Sequence, residues 1–258
     1  MADILLSKCL SEVDSLSQRD KFKVLSELKE LLEAEISTLE IEPHIYSRIT
    51  NIRHHVRSLL PALAFTSDEN PRLPISDKYS GYTVDNSMHV DSWLFPDEEL
   101  DELVDAKTFS RHYCSSCGSK QNIVPFNYYS HSLSHDALIY IFAHVLQNLE
   151  GKTLVDVGSR TGCVLYYAVM IGGASKAIGI ETSKEWCTIQ KNIIDQYFKF
   201  STIEVVCNDV LYCKDQLYTA DIIVLNNVFE WFCDDSSQQV ELWKHIRASV
   251  QRPGKIQF

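Results

Sequence analysis

Residues 154–187 read LVDVGSRTGCVLYYAVMIGGASKAIGIETSKEWC, and this stretch decides the fold of the chain. Its first four residues are an apolar run with one carboxylate, which predicts a buried strand, and Gly158 and Gly162 bracket the turn that follows. Further apolar residues predict a helix and a second buried strand that ends at Glu181. A Gly-containing turn at a helix N-terminus, with an acidic residue about 20 residues further on, is typical of proteins that hold a nucleotide-like ligand.

The same alternation of strand and helix continues from residue 133 to the end of the sequence. Near-continuous apolar strands between helices indicate a parallel sheet that is covered on both faces. Right-handed crossovers place the carboxyl ends of such strands at one edge, where open α/β sheets bind their ligands. We therefore expect an α/β, Rossmann-like, doubly wound and mostly parallel sheet that stops after its fifth strand. The predicted strands lie near 153–157, 176–181, 203–207, 221–226 and 255–258, and the predicted helices near 135–149, 162–172, 184–198 and 236–250.

The rest of the chain divides into two further parts. Residues 1–65 carry leucine-rich stripes at three- and four-residue spacing, which predicts a helical N-terminal module. Residues 66–132 contain scattered prolines and little periodicity, which predicts an irregular linker or cover with a short helix at 97–105. The Rossmann-like domain then occupies 133–258.

The composition limits the class of partner. A formal net charge of −11 argues against nucleic acid, because binding to a phosphate backbone needs clustered Lys and Arg. The charge suits a small molecule or a basic protein segment. No apolar run approaches the ~18 residues of a membrane span, and the N-terminus lacks the apolar run of a signal peptide. Cysteines in apolar strand and helix contexts indicate a reducing compartment, so we expect an intracellular protein, cytoplasmic or nuclear.

Polar side chains follow successive strands of the predicted sheet. Glu181 ends the second strand, Asn208 and Asp209 follow the third, and Asn226 and Asn227 end the fourth. Taken singly, such residues are more often helix caps or turn residues. Their recurrence at four neighbouring strand ends, counting the Gly turn, predicts one ligand site along the edge of the sheet.

With these motifs, residues 133–258 resemble the class I S-adenosylmethionine-dependent methyltransferases. The sequence VDVGSRTG at 155–162 is similar to the first motif of that family, a carboxylate followed by a Gly-rich turn around the methionine half of the cofactor. The resemblance implies that the cofactor is S-adenosyl-L-methionine. It further implies that the turn approaches the cofactor, that one acid holds the ribose hydroxyls and that another reaches the adenine. The implied cofactor-binding residues are Asp156, Gly158, Ser159, Gly162, Glu181, Asn208 and Asp209.

The resemblance also places Asn226 and Asn227 where the family has the residues that face the methyl acceptor. The sequence NNVF at 226–229 is similar to the NPPF element of amino-group methyltransferases, without its prolines, and to the NNF element of histone-lysine methyltransferases of this fold. Both similarities point to a nitrogen acceptor, on a protein or a small molecule. Phe229 and Trp231 either wall the acceptor pocket or belong to the core.

Two departures from the family pattern favour an alternative to an active methyltransferase. Arg160 stands where the family usually has glycine, and the sequence stops at Phe258, before the helix and hairpin that normally follow the fifth strand. They favour a catalytically inactive member that binds the cofactor or works as an interaction module. An NAD(P)-dependent oxidoreductase is disfavoured, because the turn lacks G-x-G-x-x-G.

A spacing typical of zinc sites precedes the domain. Cys114, Cys117, His131 and His135 form C-x2-C-x13-H-x3-H, which falls within the zinc-finger range. The alternatives are a reduced thiol pair at the surface and, for His131, a place in the lining of the cofactor cleft.

Overall fold

The computed structural model describes residues 17, 20–21, 23–24, 43–60, 86–107, 110–114, 122–125, 127–198, 203–226, 228–231, 233, 235–250 and 256–257. The chain forms two compact units, Met1–Tyr46 and Ser47–Phe258. In the first unit residues 20–21 and 23–24 are helical, and most of the predicted helical module over 1–65 lies outside the described residues. Helix α1, Pro43–Ser58, lies within the range 1–65 that is predicted to be helical.

A five-stranded parallel sheet forms the centre of the second unit. Its strands are β5 (Thr153–Val157), β6 (Lys176–Glu181), β7 (Ile203–Cys207), β8 (Ile222–Leu225) and β9 (Ile256–Gln257). Their order in the sheet is β7-β6-β5-β8-β9, so the chain runs outward from β5 in one direction and then returns to the other side of β5. This reversal next to β5 creates the crevice at which α/β sheets bind ligands. The fold is therefore the Rossmann-like sheet that the sequence predicts.

Helices cover the two faces of this sheet. One face packs on the helices that follow β7 and β8, through a core that includes Val155, Ile178, Leu217 and Leu242. Successive strand residues point to opposite faces, and a Cβ at Gly179 would lie 2.8 Å from Leu165 of the helix after β5, which places that helix on the other face. The helices are α3 (His135–Tyr140), α4 (Cys163–Met170), α5 (Lys184–Tyr197), α6 (Lys214–Thr219), α7 (Val228–Trp231) and α8 (Ser236–Ser249).

The helix predicted over 135–149 has a different form. After α3 the backbone widens into a π-helical turn, Ile141–Val145, and the N–H of Leu146 donates to the carbonyl of Ile141 across 2.7 Å. The apolar spacing of this segment suits either helix type, so the sequence pattern did not reveal the extra residue in the turn.

The segment predicted as irregular cover contains short regular elements. Strands β1 (Ser87–Val90) and β4 (Asn127–Ser130) pair in parallel, and β2 (His112–Cys114) pairs antiparallel with β3 (Ile123–Pro125). These strands have three or four residues each, which is too short to produce a visible period-2 pattern. The predicted short helix is confirmed as α2, Asp97–Asp105. Within the described part of the chain, no helix has the length and apolar character to cross a membrane.

Candidate functional site

A cavity of about 320 Å³ lies at the carboxyl ends of β5, β6, β7 and β8. Its position agrees with the edge that the sequence predicts. The predicted site residues that line it are Gly158, Glu181, Asn208, Asp209, Asn226 and Phe229, together with His131 from the zinc hypothesis.

The other predicted residues lie elsewhere. Asp156, Ser159 and Gly162 are buried next to this cavity and do not line it. Asn227 and the side chain of Trp231 lie outside the described residues. The structure therefore brings the strand-end groups together and places three residues of the first motif behind them.

The turn after β5 is held by the next strand. The N–H groups of Gly158 and Ser159 both donate to the carbonyl of Ile180, at 2.8 and 3.2 Å, and the N–H of Gly162 donates to the carbonyl of Ser159 at 2.7 Å. Gly158 and Gly162 have φ values of +76° and +78°, in the left-handed region that favours glycine. Since these three amides are satisfied within the protein, we assign to the turn the role of shaping the cavity wall.

The two glycines leave room for different neighbours. A Cβ at Gly158 would lie 2.9 Å from Cγ2 of Val228, another residue of the cavity wall. A Cβ at Gly162 would lie 2.6 Å from the hydroxyl oxygen of Tyr166. Gly158 thus shapes the cavity, whereas Gly162 accommodates the first turns of α4.

Glu181 is a buried carboxylate that faces the cavity. Its Oε1 accepts the N–H of Ser183 at 2.9 Å and its Oε2 accepts the N–H of Arg160 at 2.8 Å. The hydroxyl of Thr182 lies 3.5 Å from the same Oε1, so several donors fix the orientation of this carboxylate at the cavity wall. The N–H of Asn208 donates to the carbonyl of Glu181 at 3.0 Å, which joins the ends of β6 and β7 directly.

Asp209 is both a cap residue and a residue of the cavity wall, which are the two roles that the sequence left open. Its Oδ1 accepts the N–H of Leu211 at 2.8 Å, as the cap of a 3₁₀ turn over Val210–Tyr212. The same residue is half-buried in the cavity wall. Capping fixes the orientation of this carboxylate, and one oxygen can still face a ligand.

Asp156 is a buried carboxyl group near the site, and its pKa is perturbed by its surroundings. It lies in the middle of β5, opposite Gly179 on one side and Val224 on the other, and is 3% exposed. Burial raises its pKa well above the ordinary value, and the nearby negative charge of Glu181 raises it further. A perturbed carboxyl group beside a cavity is a common property of functional sites.

Arg160 connects the turn to the preceding segment. Its backbone φ is +40°, and its guanidinium forms a buried ion pair with Asp91. The guanidinium also stacks on the ring of Trp186 at 4.5 Å. Asp91 additionally accepts the hydroxyl of Ser132 at 2.7 Å, so the segments that follow β1 and β4 are both fixed to the turn. The sequence did not reveal Asp91 or Trp186, because no motif marks a partner 69 residues away.

Trp186 lines the cavity and carries one polar atom, the indole nitrogen Nε1. It is 1% exposed, and its Nε1 is a buried donor without a hydrogen-bond partner among the described residues. Buried donors are rarely left unsatisfied, which makes this atom a candidate for ligand contact.

The residues of the zinc hypothesis separate in space where they are described. His131 lines the cavity, Nδ1 of His135 is hydrogen-bonded to the hydroxyl of Tyr167, and Cys114 is exposed at the end of β2. Cys117 lies outside the described residues. In the part of the chain that the structure covers, no three His, Cys, Asp or Glu side chains gather as a metal site requires. The zinc site stays a prediction.

Phe229 belongs both to the core and to the cavity wall. It is 2% exposed, packs edge-on against Trp243 with ring centroids 5.2 Å apart, and its carbonyl accepts Nε2 of Gln239 at 3.2 Å. The two alternatives for this residue are therefore compatible.

Comparison with known proteins gave structural matches only. No family model and no curated protein matches the sequence. An RNA methyltransferase from Salinibacter ruber in complex with S-adenosyl-L-homocysteine is 17% identical, and the match covers 43% of this chain and 65% of that one with a TM-score of 0.32. A putative protein-L-isoaspartate O-methyltransferase from Plasmodium falciparum, with the same ligand, is 19% identical over 45% and 55% of the two chains, with a TM-score of 0.29. PKMT2 from Rickettsia typhi is 21% identical, and the match covers 46% of this chain and 23% of that one with a TM-score of 0.37.

The chain thus spans less than two thirds of each of these three structures. Many of the solved structures to which this chain is similar are S-adenosylmethionine-dependent methyltransferases.

Proposed function

We propose that the chain is an S-adenosyl-L-methionine-dependent methyltransferase that transfers a methyl group to a nitrogen atom of a protein or small molecule. The observation that carries this proposal is the meeting of Glu181, Asn208 and Asp209 with Gly158 around one cavity at the carboxyl edge of the sheet. The family resemblance over residues 133–258 assigns the same groups to one cofactor.

The residues present fit that cofactor. The cavity of about 320 Å³ lies within the range of roughly 300–1,000 Å³ that small-molecule sites occupy. Glu181 would accept the ribose hydroxyls, Asn208 and Asp209 would face the adenine, and Nε1 of Trp186 is a donor with no partner among the described residues. Asp156 lies behind the turn, at the end assigned to the amino-acid half.

The charge of the site suits a cation. Glu181 and Asp209 are acidic residues of the cavity wall, while the guanidinium of Arg160 is already neutralised by Asp91. When bound, S-adenosylmethionine would supply a methyl carbon on a positively charged sulfur; the acceptor nitrogen gains that carbon and loses one proton to solvent, and sulfur keeps the electrons of the broken bond. Methyl transfer of this kind depends mainly on the alignment of the methyl donor with the acceptor nitrogen.

Asn226 is the residue that we assign to the acceptor, with Asn227 beside it in sequence. An amide oxygen can accept the N–H of an uncharged amine and so orient its lone pair. Phe229 and Val228 supply apolar walls next to this position, which would exclude water. The acidic chain suits a basic protein segment as one source of the nitrogen, and makes nucleic acid a poor candidate.

A second candidate is a catalytically inactive relative that binds the cofactor or only keeps the fold. The observation that favours it is the internal pairing of the turn, in which Asp91 holds the Arg160 side chain and Ile180 receives two turn amides. Such pairing stabilises the turn whether or not a ligand binds.

Calorimetric titration with S-adenosylmethionine, S-adenosylhomocysteine and NADH tests the proposal. We expect the two sulfur nucleosides to bind and NADH to fail. Glu181→Gln and Asp209→Ala should each weaken binding by about 1–3 kcal/mol, because each removes an acceptor oxygen from the cavity wall. Glu204→Gln is the matched control, since that carboxylate is exposed on β7, where it pairs with Lys176 at 3.0 Å.

Methyl-transfer assays then separate the two candidates. Histones, peptides, nucleic acids and small amines serve as acceptors, with transfer of labelled methyl as the readout. Cofactor binding without transfer to any of them would favour the inactive relative. Absence of binding to wild-type protein, or equal affinity in all three variants, would refute the site.

A further inference from the structure

A second, smaller cavity adjoins the first on the α3 and α4 side of the sheet. Its volume is about 130 Å³. Four of its residues are buried and form the floor, namely Phe142, Leu146, Val164 and Val224. The remaining four are half-buried and mark the mouth, namely Leu133, Ile141, Leu225 and Asn226. Among these described lining residues all side chains except that of Asn226 are hydrocarbon, so the cavity is apolar away from its mouth.

Asn226 belongs to both cavities. It follows the last residue of β8 and lines the cofactor cavity as well as the mouth of the apolar cavity. A molecule seated in the apolar cavity would therefore present the group at its mouth to Asn226, at the boundary with the cofactor cavity.

The π-helical turn shapes this cavity. The turn contributes Ile141 and Phe142, and Leu146 follows it directly. A π turn carries one more residue than an α turn, which re-aims the side chains on either side of it, and such turns frequently occur at functional sites.

We infer that this cavity binds the terminal hydrocarbon group of the methyl acceptor, and that the acceptor is a small amine with its nitrogen at Asn226. The inference rests on the proposed function and specifies its substrate class. An apolar cavity of about 150 Å³ in another protein stays dry and binds benzene. The cavity here, at about 130 Å³, suits a single ring or a branched aliphatic group of similar size.

The buried floor distinguishes this acceptor from a lysine side chain. In a lysine residue the hydrocarbon lies between the nitrogen and the peptide backbone, so a nitrogen at the mouth would leave the hydrocarbon on the solvent side. Occupancy of a cavity with a buried floor requires a hydrocarbon group that ends the molecule. The acceptor nitrogen must also be uncharged, because Asn226 is the only polar side chain among the described residues that line this cavity.

Aniline is a suitable probe, since it carries one ring and a nitrogen that is uncharged at neutral pH. We expect aniline to shift the methyl NMR signals of Leu133, Ile141, Val164 and Val224 in the full chain. Ile141→Phe, which adds bulk at the mouth, should weaken aniline binding by at least about tenfold. Val145→Phe is the matched control, because Val145 is 44% exposed on the same π turn, and its affinity should stay within about twofold of wild type.

Two further measurements complete the test. Thermal unfolding of each variant checks that it is folded, and Leu133→Phe replaces Ile141→Phe if the latter is not.

Asn226→Leu should keep binding of benzene and remove any preference for aniline over benzene. Equal aniline affinity in wild type and the mouth variant, or displacement of aniline by a lysine peptide, would overturn the inference. Aniline titration needs no cofactor, so a failure of S-adenosylmethionine to bind is read separately and refutes only the proposed function.

Discussion

The main-chain N–H of Arg160 donates to Oε2 of Glu181 across 2.8 Å, so the turn after β5 holds the carboxylate at the end of β6. The side chain of the same arginine pairs with Asp91 and stacks on Trp186. One residue therefore positions a cavity carboxylate through its backbone and anchors the preceding segment through its guanidinium. An arginine at a position where the resemblance leads one to expect glycine has a structural explanation in this pair of contacts.

Removing the guanidinium should strongly destabilise the fold. Asp91 has a side chain with 0% exposure, and Arg160→Met would leave it as a buried charge without its partner cation. Loss of one member of a buried ion pair costs about 3–5 kcal/mol. Urea denaturation of the variant should show a decrease of that size in the free energy of unfolding. Combining Arg160→Met with Asp91→Asn should recover part of it, and a single-variant loss below about 1 kcal/mol would contradict a structural role for the pair.

The glycine that shapes the cavity can be tested against a glycine of the same backbone conformation. Gly151 has φ +74°, and a Cβ added there would meet no atom of the described residues within 4 Å, so Gly151→Ala should cost only the left-handed backbone penalty of about 1–2 kcal/mol. Gly158→Ala, at φ +76°, should cost more, because its Cβ would also displace Val228. It should weaken S-adenosylhomocysteine binding about tenfold, while Gly151→Ala leaves the affinity unchanged. Equal effects on stability and affinity would show that Val228 yields freely.

The fold was predictable because buried parallel strands leave continuous apolar runs in the sequence and amphipathic helices leave a period of 3.6 residues. The apolar runs at 153–157, 176–181 and 203–207 match β5, β6 and β7 to the residue. The strand-end residues were predictable for the same reason, since right-handed crossovers bring all carboxyl ends to one edge.

The rest depended on contacts that no local pattern encodes. Asp91 reaches Arg160 across 69 residues, and Trp186 looks in the sequence like any aromatic on an amphipathic helix. The π turn retains the apolar spacing of an α-helix, so the second cavity beside Phe142 was not predicted. Gly162 and Asp156 carry the motif, yet which neighbours they contact follows only from the packing of α4 and α5 on the sheet.

Burial should make one cysteine resistant to alkylation. Burial raises the pKa of the Cys163 thiol to about 12. A hydrogen bond with the Thr161 side chain lowers this pKa, while the nearby carboxyl groups of Asp91 and Asp156 raise it. Because the thiolate is the reactive form, Cys163 should stay unmodified by iodoacetamide at pH 8, whereas exposed Cys207 should react. Mass spectrometry of native protein, with urea-unfolded protein as control, measures both sites. Modification of the two cysteines at equal rates would mean that α4 opens readily.

Asp156 should make the stability of the protein depend on pH in a specific direction. Burial and the charge of Glu181 raise its folded pKa above the ordinary value of about 3.9, so in the window above that value the unfolded chain loses the proton first. The folded state then holds more protons than the unfolded state, and the free energy of unfolding falls as pH rises through the folded pKa. Asp156→Asn removes this dependence, so its stability relative to wild type should increase from pH 3 toward neutral pH.

The comparison is made by urea denaturation at several pH values between 3 and 8. The difference at pH 3, where the carboxyl group of wild type is mostly protonated in both states, isolates any effect of the amide on packing, and only the change with pH reports the titration. Glu181→Gln is the second variant, because it removes the nearby charge and should reduce the pH dependence without abolishing it. A pH-independent difference between wild type and Asp156→Asn would show that the carboxyl group is hydrated in the folded state.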